Sequence, residues 1–249
     1  MGSLRPHSRR AACFRRSALA SGYGMCFSPE VSFTAAAVLA PAGAIAMRTA
    51  WSADRRYLPL CTLPLLFAAQ QFFEGMVWLS DGDPELLRGY SIAYLFFAWL
   101  AWPIWIPFSV YWLEPARRQP FYLVAAIAGA VLGAGQFLPY LAHDAWVQTN
   151  FLPRAVVYGG KEMVRSIIGE IPTYAIYLTL VILPSLFATD RRVKLFGVLI
   201  AAAFSMTYLF FRYAYISVFC FWGAIMSLYL VWTILRHRRD LEGLAAPAA

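Results

Sequence analysis

Seven stretches of this chain are apolar for long enough to cross a lipid bilayer, and that constrains its fold more tightly than anything else in the sequence. A hydrocarbon core about 30 Å thick takes roughly 20 mostly apolar residues in helical form. Runs of that order fall near residues 31–50, 58–79, 91–113, 121–142, 173–189, 195–211 and 216–235. Backbone amides cannot stay unpaired in lipid, so each run is expected to be a helix that satisfies its own hydrogen bonds. The expectation is an all-α membrane protein: one seven-transmembrane-helix bundle over residues 25–235, flanked by a basic arm (1–24) and a tail (236–249). Composition agrees, because 61% of the 249 residues are apolar and 14% charged, whereas a soluble domain is roughly half apolar.

The formal charge of +8 does not point to nucleic acid, because the arginines form short clusters between apolar runs rather than one basic face. The connectors WSADRRY, EPARRQP and DRRVK and the tail RHRRD alternate with the less basic DGDPELLRGY, the long 143–172 segment and RYAY. With Arg48, eleven of the 21 Lys and Arg residues lie on the first side and five on the second. The positive-inside rule then puts the amino end outside and the carboxyl end in the cytoplasm. Trp51, Trp78, Trp112, Trp146 and Trp232 fall near span ends, where an indole keeps its ring in the interface and its N–H in water. Arg5, Arg9, Arg10, Arg15 and Arg16 precede the first span on the side expected outside, against that rule, and no apolar signal-peptide core follows them. Met25 is the expected start, opening MCFSPEVSF, with residues 1–24 an annotation artefact or a mobile arm.

The stretch FAAQQFFEGMVWL puts a carboxyl group in the second span. Gln70 and Glu74 are four apart, Gln71 and Glu74 three apart, and Trp78 four further on, so they share one helical face. Glu74 lies about six residues, roughly 9 Å, below the outer end. A charge at the bilayer centre costs about 3 kcal/mol on insertion scales, which makes such a residue a functional candidate by default; the structural alternative is a clamp with the glutamines. The third span carries Trp99, Trp102, Trp105 and Trp112 with Pro103 and Pro107, which are expected to bend it and free carbonyls for other partners. Its indoles suit an aromatic ligand, a cation or simple core packing.

In the fourth span Gly129 and Gly133 form a GxxxG pair that permits close helix approach. Gln136, Tyr140 and His143 follow on the same face. Within 143–172, KEMVRSIIGEI sets Met163, Val164, Ile167, Ile168 and Ile171 against Lys161, Glu162, Arg165 and Glu170, which reads as an amphipathic surface helix. Ser205, Tyr208 and Arg212 share a face of the sixth span, where Arg212 is either a counter-ion for Glu74 or a headgroup contact. Cys26 and Cys220 are both expected near the outer surface. If the first and last helices are neighbours, these two can form a disulfide, or with His143 hold a soft metal such as copper or zinc.

The blocks MCFSPEVSF, PLLFAAQQFFEGMVWL, WPIWIPFSVYWLE and SVFCFWGAIMSL resemble an uncharacterised family of bacterial integral membrane proteins whose members begin Met-Cys-Phe-Ser. The resemblance covers nearly all of the chain after residue 24. It implies a multi-pass protein of the bacterial plasma membrane, with Cys26, Gln71, Glu74, Trp78, Trp102 and Cys220 as the matching positions and no assigned activity or cofactor. A retinal-binding protein would need a lysine in the last span, which has none, and no nucleotide-binding glycine loop or haem-attachment motif is present. Three readings stay open. One is a small-ligand or proton binding or transport protein whose intramembrane site, open to the outside, comprises Glu74, Gln70, Gln71, Trp78, Trp102, Tyr140 and Arg212. Another is a metal- or redox-dependent membrane enzyme using Cys26, Cys220 and His143, and the third is a structural subunit of a membrane complex.

Overall fold

A computed structural model describes residues 28–152, 155–160, 163–210 and 215–245. Among them, helix α1 (Pro29–Ala53) starts where Ser28 accepts from the Val31 amide at 3.4 Å and Pro29 supplies a preset first turn. α2 (Arg55–Leu79) begins as a 3₁₀ turn and carries the FAAQQFFEGMVWL stretch. α3 (Pro84–Leu113), α4 (Gln119–Ala142), the short α5 (Met163–Ile168), α6 (Glu170–Leu186), α7 (Arg191–Phe210) and α8 (Tyr215–Ala245) follow. Six of these helices are long and apolar enough to cross a membrane, and α6 is a shorter apolar helix of 17 residues.

α1, α2, α3, α6, α7 and α8 form a closed ring in which each packs on the next and α8 returns to α1, so the first and last helices are neighbours. α4 lies outside the ring against α3 and α6. Val38, Ile45, Val124, Val131, Val198 and Leu209 point outward and stay exposed, the apolar coat a bundle presents to lipid.

Two local departures from ideal helix shape the interior. In α3 the prolines give a π-helical stretch, Phe96–Ala101, directly before Trp102–Leu113. The Trp102 amide donates to Phe97 O, so the next bond in that register would run from residue 103 to Ala98 O. Pro103 has no N–H. The freed Ala98 carbonyl is taken instead by the Tyr177 hydroxyl from α6. On the other side of α3, α4 docks through Gly129 and Gly133. A Cβ at Gly129 would stand 1.9 Å from the Pro103 carbonyl oxygen, so only glycine permits this approach.

The 143–172 connector holds a feature the sequence reading did not expect. Val147–Leu152 (β1) and Ala155–Gly160 (β2) pair antiparallel, Thr149 opposite Tyr158. The hairpin lies across one end of the bundle: Thr149 and Ser91 of α3 share a hydrogen bond of 2.7 Å, and Ala155 packs on Val218 of α8. Gly160 closes it at φ +143°, where a Cβ would strike the Trp146 carbonyl at 1.8 Å. The expected amphipathic helix is divided by Gly169 (φ +91°), so Ile167 and Ile168 belong to α5 but Glu170 and Ile171 open α6.

At the opposite end the basic connectors meet. Asp54 pairs with Arg56 at 2.8 Å, Arg192 pairs with Asp240 at 2.5 Å and bonds His237 Nδ1 at 2.9 Å, and Tyr57 donates to Asp190. Glu114, almost fully buried, accepts from the amide and hydroxyl of Thr189 and from Arg118, tying the α3–α4 connector to the α6–α7 connector.

Candidate functional site

The polar face of α2 is turned inward, toward α3 and α8. Gln70 and Gln71 are fully enclosed and Glu74 is 1% exposed, while Phe72 on the other face stays exposed. Gln71 Nε2 donates to Glu74 Oε2 at 3.2 Å, the three-residue spacing read from sequence. The other carboxylate oxygen accepts from Ser217 Oγ on α8. Gln70 Oε1 accepts from the Trp102 indole at 3.2 Å, and Trp102 stacks on Phe67 at 4.0 Å between centroids. The Cys220 side chain lies one turn beyond Ser217, close to Gln70, Trp102 and Tyr94.

Two tyrosines complete the enclosure. Tyr94 of α3 donates to the Ile216 carbonyl at 3.5 Å and stacks at 4.5 Å on Tyr158, which the hairpin delivers from β2. Both lie close enough to Glu74 to interact with it electrostatically. Phe151 of β1 covers Trp78, with centroids 5.6 Å apart. The hairpin thus closes the end of the bundle nearest Glu74.

The hydrogen bonding inside this cluster is incomplete. Gln70 Nε2, Gln71 Oε1, the Tyr158 hydroxyl and the Trp78 indole N–H are buried without a protein partner. Both amides are held by the bond the other end makes, so the orphans are one donor on Gln70 and one acceptor on Gln71. Each unmade bond in such surroundings costs about 1–3 kcal/mol. No Lys, Arg or His pairs with Glu74 among the described residues. The arrangement is a neutral polar cluster with an acidic group at its centre.

Of the candidates read from sequence, Glu74, Gln70, Gln71, Trp102 and Cys220 come together, and Trp78 stands at the hairpin side. Tyr140 is buried at the hairpin base, where its carbonyl accepts from Arg88 at 3.2 Å. His143 caps α4, exposed and stacked on Trp146 at 4.5 Å, whereas Cys220 is buried. Cys26 and Arg212 lie outside the described residues, as does the basic arm. Among the described residues no group of three or more His, Cys, Asp and Glu is placed to hold a metal ion. Ser217, Tyr94 and Tyr158 were missed. Ser217 was legible in principle, being one turn from Cys220 in SVFCFW, whereas Tyr158 depends on the hairpin.

A ring of apolar helices around a buried, hydrogen-bonded carboxyl group defines a helical protein of membrane-spanning character. The chain belongs to a family of unknown function (DUF6629), whose family model matches residues 25–244. No curated protein and no solved structure matches it.

Proposed function

We propose that this is a multi-pass plasma-membrane protein in which α6 completes a seven-span bundle, amino end outside, and in which the cluster around Glu74 binds a proton or a small polar ligand. The observation that carries this reading is the set of buried orphans around Glu74: Gln70 Nε2, Gln71 Oε1 and the Tyr158 hydroxyl. A purely structural clamp would be expected to satisfy its own donors and acceptors, since each orphan is costly in a low-dielectric interior. A chamber that receives a polar guest needs donors and acceptors to spare. The topology rests on the clustering of the basic connectors at one end, with the positive-inside rule choosing the side. The hairpin end then faces outward, and the site communicates with that side through the hairpin.

The test separates ionisation from architecture. Glu74→Gln keeps the size and an acceptor for Ser217 and should leave membrane yield near wild type; Glu74→Leu strands Ser217 Oγ and Gln71 Nε2 and should lower it. Infrared difference spectra of the reconstituted protein, recorded as pH is stepped, should show a carboxyl band that Glu74→Gln removes. An unchanged band, or a Leu variant as abundant and stable as wild type, refutes the proposal. Reporter fusions after residue 54 and after residue 150 should give cytoplasmic and external signals.

A further inference from the structure

Behind the Glu74 cluster, α6 and α8 each pack along α7 but not extensively on each other, and the space between them is a cavity of about 330 Å³. That falls in the range of small-molecule sites. Its walls are aromatic. Trp99 stacks on Tyr174 at 6.0 Å and meets Tyr177 edge-on at 5.6 Å; Tyr215 and Phe204 face them, and Cys220 forms the floor. Toward the bilayer the boundary is loose: Ile171 is 82% exposed, Tyr208 about half exposed, and Ala175 exposed.

The hydrogen bonding of the walls says what class of guest fits. Tyr177 is committed to the Ala98 carbonyl, and Tyr215 donates to Tyr174. The Trp99 indole N–H, on a side chain only 3% exposed, has no partner. An orphaned donor calls for an acceptor, not for a cation. Among the described residues the one carboxylate on the lining, Glu170, pairs with Arg165 at 2.5 Å, and no described Lys, Arg or His lines the cavity. Neither a cationic nor an anionic guest would find an unpaired charge partner among the described residues of the lining.

We propose that this cavity is a binding site for a neutral, flat aromatic carbonyl compound dissolved in the bilayer, of the quinone class. Its ring stacks among Trp99, Tyr174 and Tyr215, and one carbonyl oxygen accepts from Trp99 Nε1. Aromatic faces favour offset or edge-on packing of a planar guest, and entry between α6 and α7 at Ala175 and Tyr208 needs no passage through water. The site stands apart from the proton reading of Glu74, although Cys220 borders both.

The experiment uses the full chain in lipid nanodiscs with menadione as probe and 2-methylnaphthalene, which lacks the carbonyls, as control. Saturable menadione binding is expected, abolished by Ala175→Trp, which blocks the lipid-side opening at an exposed position. Trp99→Phe keeps a ring and loses the donor. It should weaken menadione about five- to tenfold, the worth of one neutral hydrogen bond, and leave 2-methylnaphthalene unchanged. Glu74→Gln should leave menadione affinity as in wild type whatever it does to the carboxyl band. Non-saturable partitioning, insensitivity to Ala175→Trp, equal effects of Trp99→Phe on both probes, or loss of menadione binding in Glu74→Gln would each overturn the proposal.

Discussion

Replacing Gly129 by alanine is the sharpest test of the packing. The new Cβ would lie 1.9 Å from the Pro103 oxygen and 2.5 Å from its carbonyl carbon. That is about 1.5 Å inside the 3.4 Å at which ordinary contact begins. The obstruction is backbone, so no rotamer change relieves it; α3 and α4 must separate over several turns and lose dispersion contacts along the seam. Overpacking costs about 1–3 kcal/mol when side chains can adjust, and here the upper end of that range is expected. Gly133→Ala meets the Trp99 carbonyl at 2.8 Å and the Leu100 Cα at 3.0 Å, a smaller intrusion worth about 1 kcal/mol. Gly135→Ala meets only Val164 Cγ2, a side chain near the helix surface, and Gly89→Ala meets nothing within 4 Å. The exposed Gly89 site should gain about 0.5–1 kcal/mol from the restricted unfolded chain. The fraction of detergent-solubilised protein that stays monodisperse after heating, measured across the four variants, should rank Gly129→Ala lowest, then Gly133→Ala, then Gly135→Ala, then Gly89→Ala. A Gly129→Ala protein as heat-resistant as Gly89→Ala would show that α3 and α4 do not meet at these glycines.

Glu114→Ala should destabilise by about 2–3 kcal/mol, because the Thr189 amide and hydroxyl and Arg118 lose their shared acceptor in a buried setting; Glu114→Gln, which keeps an acceptor, should cost less, and equal heat resistance of the two would refute the account. At the same end, hydrogen bonding from Arg56 holds the Asp54 carboxyl below its usual range. A carboxyl lowered on folding adds stability above its unfolded pKa of about 4, and that increment is lost as pH falls through the lower folded value. Wild type should therefore lose heat resistance more steeply than Asp54→Asn between about pH 5 and about pH 3, and parallel profiles would rule the contribution out.

Hydropathy located the helices because lipid leaves no other way to satisfy a backbone: the expected runs 58–79 and 121–142 sit within Arg55–Leu79 and Gln119–Ala142. Helical spacing likewise placed Gln70, Gln71 and Glu74 on one inward face. The hairpin was not legible by the same route. Val147, Thr149 and Phe151 alternate with polar residues, and Val156, Val157 and Tyr158 are strand formers, but a hydropathy window averages such alternation away. The prolines of α3 were expected to bend it and to free carbonyls for other partners; a π-helical stretch stands before Pro103, and the freed Ala98 carbonyl is taken by Tyr177. No spacing rule reports which partner a freed carbonyl finds. Tyr94 and Tyr158 meet only through tertiary structure.

α8 joins two regions that have been treated separately. Ser217, which holds Glu74, and His237, which meets Arg192, sit on the same proline-free helix, twenty residues or about 30 Å apart. With 31 residues it is about 46 Å long, well beyond the hydrocarbon thickness. Such a rod resists compression along its axis, so a push or a turn applied where Asp240 grips Arg192 is delivered to Ser217 and Cys220 with little loss. One unbroken helix thus carries both the Arg192–Asp240 pair and the Ser217–Glu74 bond.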